Sequence, residues 1–451
     1  MRLGRYLKGC KEVYHTTFDP RKTSAIRVHL VPPKKPKVGI PWVVVLNGYS
    51  VLPLQTSWAI LLKEFMGALN ETNGVSLTEE GIEDLIAKTI LRVKKIFNKT
   101  DEAIIKEDLG QIVTTLKNIA FGEEPSEKIG YMTLSKYAKY MQAPHRMDLM
   151  VSPMEKNGKW NCNQHCLHCY AANERMANAK ELSTGEWKII IDACKKACIP
   201  SLTFTGGEAT LRNDLVELIE YSKWFVTRLN TNGILLTNAL CEALYKASLD
   251  SVQVTLYSYD ANIHNALVGG NHFEQTIQGI KNALAAGLDV SINTPLCSIN
   301  QDYIKTIQFA HELGIHYFSC SGLIPTGNAK LKDSSITALS KNTILQVVEE
   351  AVNYAREKDI DISFTSPGWI KEHDLKRLKL IVPSCGACLS NMAIAPNGDV
   401  IPCQSWLNGM SLGNLLTKEW KDIWQSKDTL RIRGFAGKMQ EVCLLKQEEV
   451  K

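Results

Sequence analysis

Cys162, Cys166 and Cys169 stand at CX3CX2C spacing within Trp160-Asn161-Cys162-Asn163-Gln164-His165-Cys166-Leu167-His168-Cys169-Tyr170. Cysteine thiolates are the usual ligands of a [4Fe–4S] cluster, which takes four, so a set of three leaves one iron open to something that is not protein. The same spacing admits zinc, with His165 or His168 completing a tetrahedral set, or three thiols that are merely buried. Chance burial fits poorly with three cysteines so close together among Asn, Gln and His. A second set follows towards the other end of the chain: Cys385, Cys388, Cys403 and Cys443. Cys388 and Cys403 flank Pro396-Asn397-Gly398, a hairpin turn signal, so that hairpin would bring their thiols together. A leading CX2C with two further cysteines suits either zinc or an iron–sulfur cluster.

An apolar β-type run, Ser201-Leu202-Thr203-Phe204-Thr205, ends in Gly206-Gly207-Glu208. CX3CX2C followed by a strand-terminal GGE resembles the radical S-adenosylmethionine (radical SAM) enzymes, over about residues 146–325. The resemblance implies that SAM chelates the open iron of the Cys162/Cys166/Cys169 cluster and that Gly206, Gly207 and Glu208 hold its methionine amino group. Reductive cleavage of SAM would then give a 5′-deoxyadenosyl radical that abstracts hydrogen from substrate, with flavodoxin or ferredoxin as electron donor. His168 would stack on adenine. Asn230 and Asn232, in Asn230-Thr231-Asn232-Gly233, are similar to the family's third-strand ending beside SAM. Thr255, Ser258 and Asn293 are the candidates for ribose and carboxylate contacts. Each of these hydroxyls and amides has a plainer use, satisfying a loop backbone, and His165 is equally a solvent-facing loop residue.

The spacing CX9GX4C from Cys388 to Cys403, with Ser411–Leu415 and a helix around Trp420–Trp424, resembles the start of a SPASM domain. That C-terminal extension holds auxiliary [4Fe–4S] clusters in many radical SAM maturases. Here Lys446 stands where a closing CX2C pair would need its second thiol. Four ligands remain, Cys385, Cys388, Cys403 and Cys443, and the expectation is a shortened domain with one auxiliary iron–sulfur cluster.

These sites need elements to position them. From Arg146 the pattern alternates strand and helix: strands at 147–151, 202–205, 226–230, 252–256, 290–293 and 317–322, with helices between them. βα repeats of this length enforce parallel pairing, so the expected fold is α/β, a partial (β/α)6 radical SAM barrel. Function in such folds sits at the carboxyl ends of the strands, where both motifs fall. Cys194 and Cys198 read as buried helix residues. Cys297 and Cys320, near the ends of the fifth and sixth strands, read first as packed core thiols and second as substrate-facing ones.

Ahead of the barrel, strands at 26–31 and 42–48 precede three helical patterns, one opened by a capping Thr56, one by Thr78, and one over 101–120. Strands then three helices resemble the small winged-helix-like α+β domain that precedes many peptide-modifying radical SAM enzymes. There the leader of a precursor peptide adds a strand to an exposed sheet edge. The lysines of Pro32-Pro33-Lys34-Lys35-Pro36-Lys37 read as a solvated connection. The expected division is 1–125 for leader recognition, 126–145 linker, 146–330 barrel, 331–382 bridging helix and strand, and 383–451 auxiliary-cluster domain.

Composition narrows the classes further. A net charge of +5 over 451 residues gives no argument for nucleic acid, and no run is long and apolar enough for a membrane span. Thirteen cysteines spread through a large chain at ligand spacings favour a reducing cytoplasm over a disulfide framework. The combined reading is a maturase of ribosomally made peptides that forms a thioether, another crosslink or an epimerised residue. Modification of a small molecule, cofactor or tetrapyrrole is the enzymatic alternative, and a zinc-stabilised binding module the non-enzymatic one.

Overall fold

A computed structural model describes residues 3–18, 26–47, 50–72, 78–120, 138, 141–330, 336–358, 360–438 and 442–446. The chain divides into two compact units, Met1–His145 with Lys195–Pro200, and Arg146–Cys194 with Ser201–Lys451. Most of the expected linker and short helix over 122–142 lies outside the described residues.

The first unit is a four-stranded antiparallel sheet in sequence order, β1 (Tyr14–Phe18), β2 (Ile26–Val31), β3 (Trp42–Leu46) and β4 (Ser50–Leu54). Helices Leu3–Gly9, Thr56–Asn70, Glu79–Lys94 and Glu102–Ala120 accompany it. Val28, Leu30, Trp42 and Val44 of the sheet share one core with Ile60, Met66, Ile112 and Leu116 of the helices. The sequence reading missed β1 and β4, the two edges. Thr56 is not the cap it was expected to be: Gln55 occupies that position without a side-chain bond. Thr78 does cap, its hydroxyl accepting from Gly81 N at 3.2 Å.

The second unit is built on one ten-stranded sheet. Six strands are those anticipated: β5 (Arg146–Ser152), β8 (Ser201–Gly206), β9 (Val226–Thr231), β10 (Ser251–Thr255), β11 (Asp289–Leu296) and β12 (Tyr317–Gly322). They run parallel in the order β5-β8-β9-β10-β11-β12. The small hairpin of β6 (Glu155–Lys156) and β7 (Lys159–Trp160) stands between β5 and the first cysteines. Two additions were not foreseen. β13 (Asp361–Phe364), expected in a separate bridge, continues the sheet as a seventh parallel strand beside β12. At the other edge, β14 (Asn391–Ile394) pairs parallel with β5, then antiparallel with β15 (Asp399–Ile401), which pairs with β16 (Gly413–Asn414). The cysteine-rich hairpin therefore belongs to the barrel's own sheet.

The two faces of this sheet differ. One carries Leu202, Phe204, Leu229, Val252, Val254, Ile292 and Phe318, all buried. The other carries Thr203, Arg228, Asn230, Gln253, Thr255, Asn293 and Ser319, which the register places side by side. Parallel sheets covered on both faces normally read as continuous apolar runs. The second face departs from that pattern by its polar side chains. Among the described residues no helix is long and apolar enough to cross a membrane.

Candidate active site

The loop carrying Cys162, Cys166 and Cys169 follows β7 and is fixed by backbone bonds from several directions. Asn161 N donates to Met154 O at 2.7 Å, His165 N to Val268 O at 3.0 Å and Leu167 N to Leu267 O at 2.9 Å. Asn328 donates twice, from N to Cys169 O at 2.9 Å and from Nδ2 to Cys166 O at 3.0 Å. Trp160 Nε1 donates to Gln164 O at 2.9 Å, and the Trp160 ring stacks on His165 at 4.9 Å between centroids.

Burial pushes the Cys162 thiol up to about 12 and lifts Cys166 and Cys169 as well; Cys162 and Cys166 are raised further by their cysteine neighbours. Three thiols that sense one another in a dry site ionise only if a cation compensates them, and the irons of a cluster supply that charge. The donor set fits the group.

Cys162 Sγ lies 3.5 Å from Gly207 O, which joins the two motifs. Gly206 takes φ +143°, and a Cβ there would stand 2.2 Å from Ser152 O. One at Gly207 would stand 2.9 Å from Pro153 O. Both glycines are thus required by the end of β5 passing against them. Glu208 is buried and fully engaged. Its Oε1 accepts from Thr210 N at 3.0 Å and from the hydroxyls of Thr210 at 2.6 Å and Thr231 at 2.7 Å. Its Oε2 accepts from Asn232 N at 2.8 Å. The carboxylate ties the ends of β8 and β9 together.

The other sequence candidates divide. Asn232 donates from Nδ2 to Asn163 Oδ1 at 2.7 Å, beside the cysteine loop. Asn230, Thr255 and Asn293 share the polar face of the sheet, and Asn293 Oδ1 accepts from Ser319 Oγ at 3.0 Å. His168 is buried against Tyr257, ring centroids 4.7 Å apart, and burial lowers its pKa to about 4. Among the described residues the buried atoms His168 Nδ1, Asn230 Oδ1 and Asn163 Nδ2 have no hydrogen-bond partner, as expected of groups that face a ligand. The Ser258 hydroxyl accepts from Asp260 N at 3.1 Å and keeps its own O–H to donate. Asp260 and His264 belong to an unforeseen helix, Ala261–Val268, which Asp260 caps.

Cys320 follows the packing reading. It is buried in register with Thr294 and meets Tyr303 of the helix Tyr303–Glu312, on the helix side of the sheet. Cys297 is buried too. Cys194 ends buried within its helix, whereas Cys198 lies beyond the helix end at φ +67°.

Three contributions escaped sequence reasoning. Tyr257, just past the end of β10, lies close to Cys166. Asn328 clasps the cysteine loop. Arg212 donates to Val151 O at 2.9 Å and Leu182 O at 3.0 Å and pairs with Asp214 at 2.6 Å, holding the end of β5. The segment Gly206–Arg212 hinted at Arg212 by proximity alone; the others lie far off in sequence.

At the second set, Cys388 N donates to Pro402 O at 3.0 Å across the β14–β15 hairpin. Burial raises the Cys403 thiol well above its ordinary value, and the charges of Cys385, Cys443 and Cys388 raise it further. Arg433 lies beside them. Its Nε donates to Cys388 O at 2.9 Å, and its guanidinium rests 3.4 Å from the Trp424 ring centroid.

Comparison with known families agrees with this geometry. The radical SAM superfamily matches residues 161–310, and the SPASM iron–sulfur cluster-binding domain matches 385–445. This is a radical SAM enzyme with a SPASM domain. The first domain implies a [4Fe–4S] cluster with SAM, and the second implies auxiliary iron–sulfur clusters.

Among curated proteins, the AdoMet-dependent heme synthase of Methanosarcina barkeri is 28% identical over 294 residues, 60% of this chain and 81% of that one. The heme synthase of Oleidesulfovibrio alaskensis is 33% identical over 190 residues, 41% of this chain and 49% of that one. A probable GTP 3′,8-cyclase of Methanopyrus kandleri is 35% identical over 149 residues, 32% of this chain and 47% of that one. This radical SAM enzyme thus spans about half the length of two of these three relatives. Among solved structures, Streptococcus suis SuiB bound to S-adenosylmethionine superposes with a TM-score of 0.60 at 18% identity, covering 90% of this chain and 94% of that one. Native anSMEcpe with bound AdoMet gives 0.51 at 14% identity, covering 65% and 84%.

Proposed function

We propose that this enzyme modifies a ribosomally made precursor peptide, removing a hydrogen atom from one of its residues. The observation that carries the reading is the first unit, a four-stranded antiparallel sheet with two edges, β1 and β4, and a core of its own. Chemistry on a small molecule does not call for it, whereas an extended leader peptide adds readily to such an edge. SuiB, similar in fold over 90% of this chain, has been crystallised with its precursor peptide SuiA.

In this reading residues 1–125 recognise the leader, 126–145 link, 146–330 form the barrel, 331–382 bridge and 383–451 hold the auxiliary cluster. Cys162, Cys166 and Cys169 hold the cluster that binds SAM. Cys385, Cys388, Cys403 and Cys443 hold one auxiliary cluster. Together the first cluster and SAM supply a hydrogen-abstracting radical at the expense of one electron from a donor such as flavodoxin or ferredoxin. Glu208 braces the strand ends around the methionine amino group, with Gly206 and Gly207 admitting the close approach. His168 and Asn230 turn their unpartnered atoms to SAM, Asn232 ties the end of β9 to the cysteine loop beside it, and Thr255, Ser258 and Asn293 offer the ribose and carboxylate contacts.

The heme-synthase relatives favour a second reading, modification of a tetrapyrrole or another small molecule. The test is a mass spectrum of a short peptide encoded beside this gene, after anaerobic incubation with enzyme, SAM and reductant. Loss of two hydrogens per site means crosslinking or dehydrogenation. Unchanged mass in water with deuterium uptake in heavy water means epimerisation. An unaltered peptide alongside continued 5′-deoxyadenosine release would shift the assignment to the small molecule.

A further inference from the structure

The run Pro32-Pro33-Lys34-Lys35-Pro36-Lys37-Val38 is the solvated connection expected, its lysines exposed between β2 and β3, and it also forms one wall of a groove of about 600 Å³. The helix Leu3–Gly9 and the residues after it form the other. Lys8, Lys11, Lys34, Lys35 and Lys37 rim the groove, and the described lining includes no carboxylate. Among the described residues none of the five lysines makes an ion pair. Beneath them the surface is apolar: Leu7 and Pro33 are buried, and Val38 stands 67% exposed at the mouth.

Like charges gathered around a concave apolar wall repel one another in the free protein and focus a positive potential into the groove. A chain of carboxylates alternating with apolar side chains relieves that repulsion and covers the floor in one step. The wall is also preorganised. Three prolines restrict its backbone. Lys37 O accepts from Ile40 N at 3.2 Å and from Thr56 Oγ1 at 3.5 Å, and Pro32 O accepts from Gln142 Nε2 at 3.3 Å. Little ordering entropy remains to be lost on binding. Single-stranded nucleic acid is a poorer fit, since it favours aromatic platforms and arginine, and the described lining has neither.

We infer that this groove docks an acidic segment with interspersed apolar residues, and, resting on the peptide reading above, that the segment belongs to the substrate peptide. It is separate from whatever strand joins the sheet edge.

The test uses the full-length, cluster-loaded enzyme and fluorescence anisotropy. The probe is a short fluorescein-labelled peptide alternating glutamate and leucine, with a control carrying lysine for glutamate. The acidic probe alone should bind, and more weakly as salt rises. The triple variant Lys34→Glu/Lys35→Glu/Lys37→Glu, altered only at exposed positions, should lose affinity about tenfold or more with an unchanged melting temperature. Val38→Ser should weaken binding without altering the salt dependence.

Equal binding of the two probes, an unaffected triple variant, or displacement of the acidic probe by a short oligoribonucleotide would overturn the inference. The natural precursor separates it from the peptide reading. If the triple variant modifies limiting precursor as fast as the unaltered enzyme, the groove proposal fails and the maturase stands. If the acidic probe binds through the lysines but no precursor is modified, the groove stands and the maturase fails.

Discussion

A thiol becomes a ligand by losing its proton, and burial opposes that loss at Cys162 and Cys166 and again at Cys403. Each set therefore needs its own metal charge. Cys166→Ala should lower bound iron and abolish 5′-deoxyadenosine formation. Cys403→Ala should lower bound iron while leaving SAM cleavage measurable, read by iron assay and chromatography; equal loss of cleavage in both would mean that the two sets do not serve separate clusters. His264 offers a pH test. Burial, aided by the charge of His272, lowers its pKa from 6.5 to about 4. The unfolded chain thus binds the extra proton first as pH falls, so the stability is complete above pH 6.5 and is lost towards pH 4. The shift corresponds to roughly 3 kcal/mol. His264→Gln should flatten the fall in melting temperature across that window, and an unchanged slope would assign the acid sensitivity elsewhere. The cysteines were legible because ligand spacing is local. Tyr257, Asn328 and the saturation of Glu208 were not, because their partners come from distant strands and loops.

Elements reach the site through close approaches that leave no room for a side chain. Gly327 takes φ +58°, and a Cβ there would stand 2.2 Å from Cys169 O. Gly327→Ala should add backbone strain of about 1–3 kcal/mol and displace the cysteine loop. Its signature is a lower cluster content in protein whose far-UV circular dichroism is unchanged; full cluster content would show that the loop tolerates the shift. β14 carries a second prediction. Met392 is buried at its centre and pairs with Met147 of β5. Met392→Pro removes a donor from an interior strand, a change of about 3 kcal/mol or more, and should deplete both clusters where an independent hairpin would lose only one. The parallel strands were readable from βα alternation. β4 was hidden by Pro53, which is tolerated there because β4 is an edge. β14 was hidden because nothing in a hairpin's own sequence announces that a barrel strand will pair with it.

At the scale of the whole molecule, two units with separate cores predict two calorimetric transitions. Leu62→Ala, in the first core, should lower one of them, and Ile292→Ala, in β11, the other. Each change is worth about 2–5 kcal/mol, and a single shared transition would contradict the division. A radical SAM domain followed by a SPASM domain was visible in the sequence, but the placing of β13 and the β14 hairpin in one sheet was not, since that is a matter of pairing between distant segments. The same pairing has a consequence during synthesis. Ribosomes release a chain at about 5–20 residues per second, and β5 emerges long before β14, its neighbour in the finished sheet. For roughly tens of seconds each nascent chain carries an apolar strand with an open side, the form of edge that recruits strands from other chains. A message truncated between the codons of β5 and those of β14 would make that exposure permanent, so such incomplete translation products should aggregate rather than persist as soluble barrels.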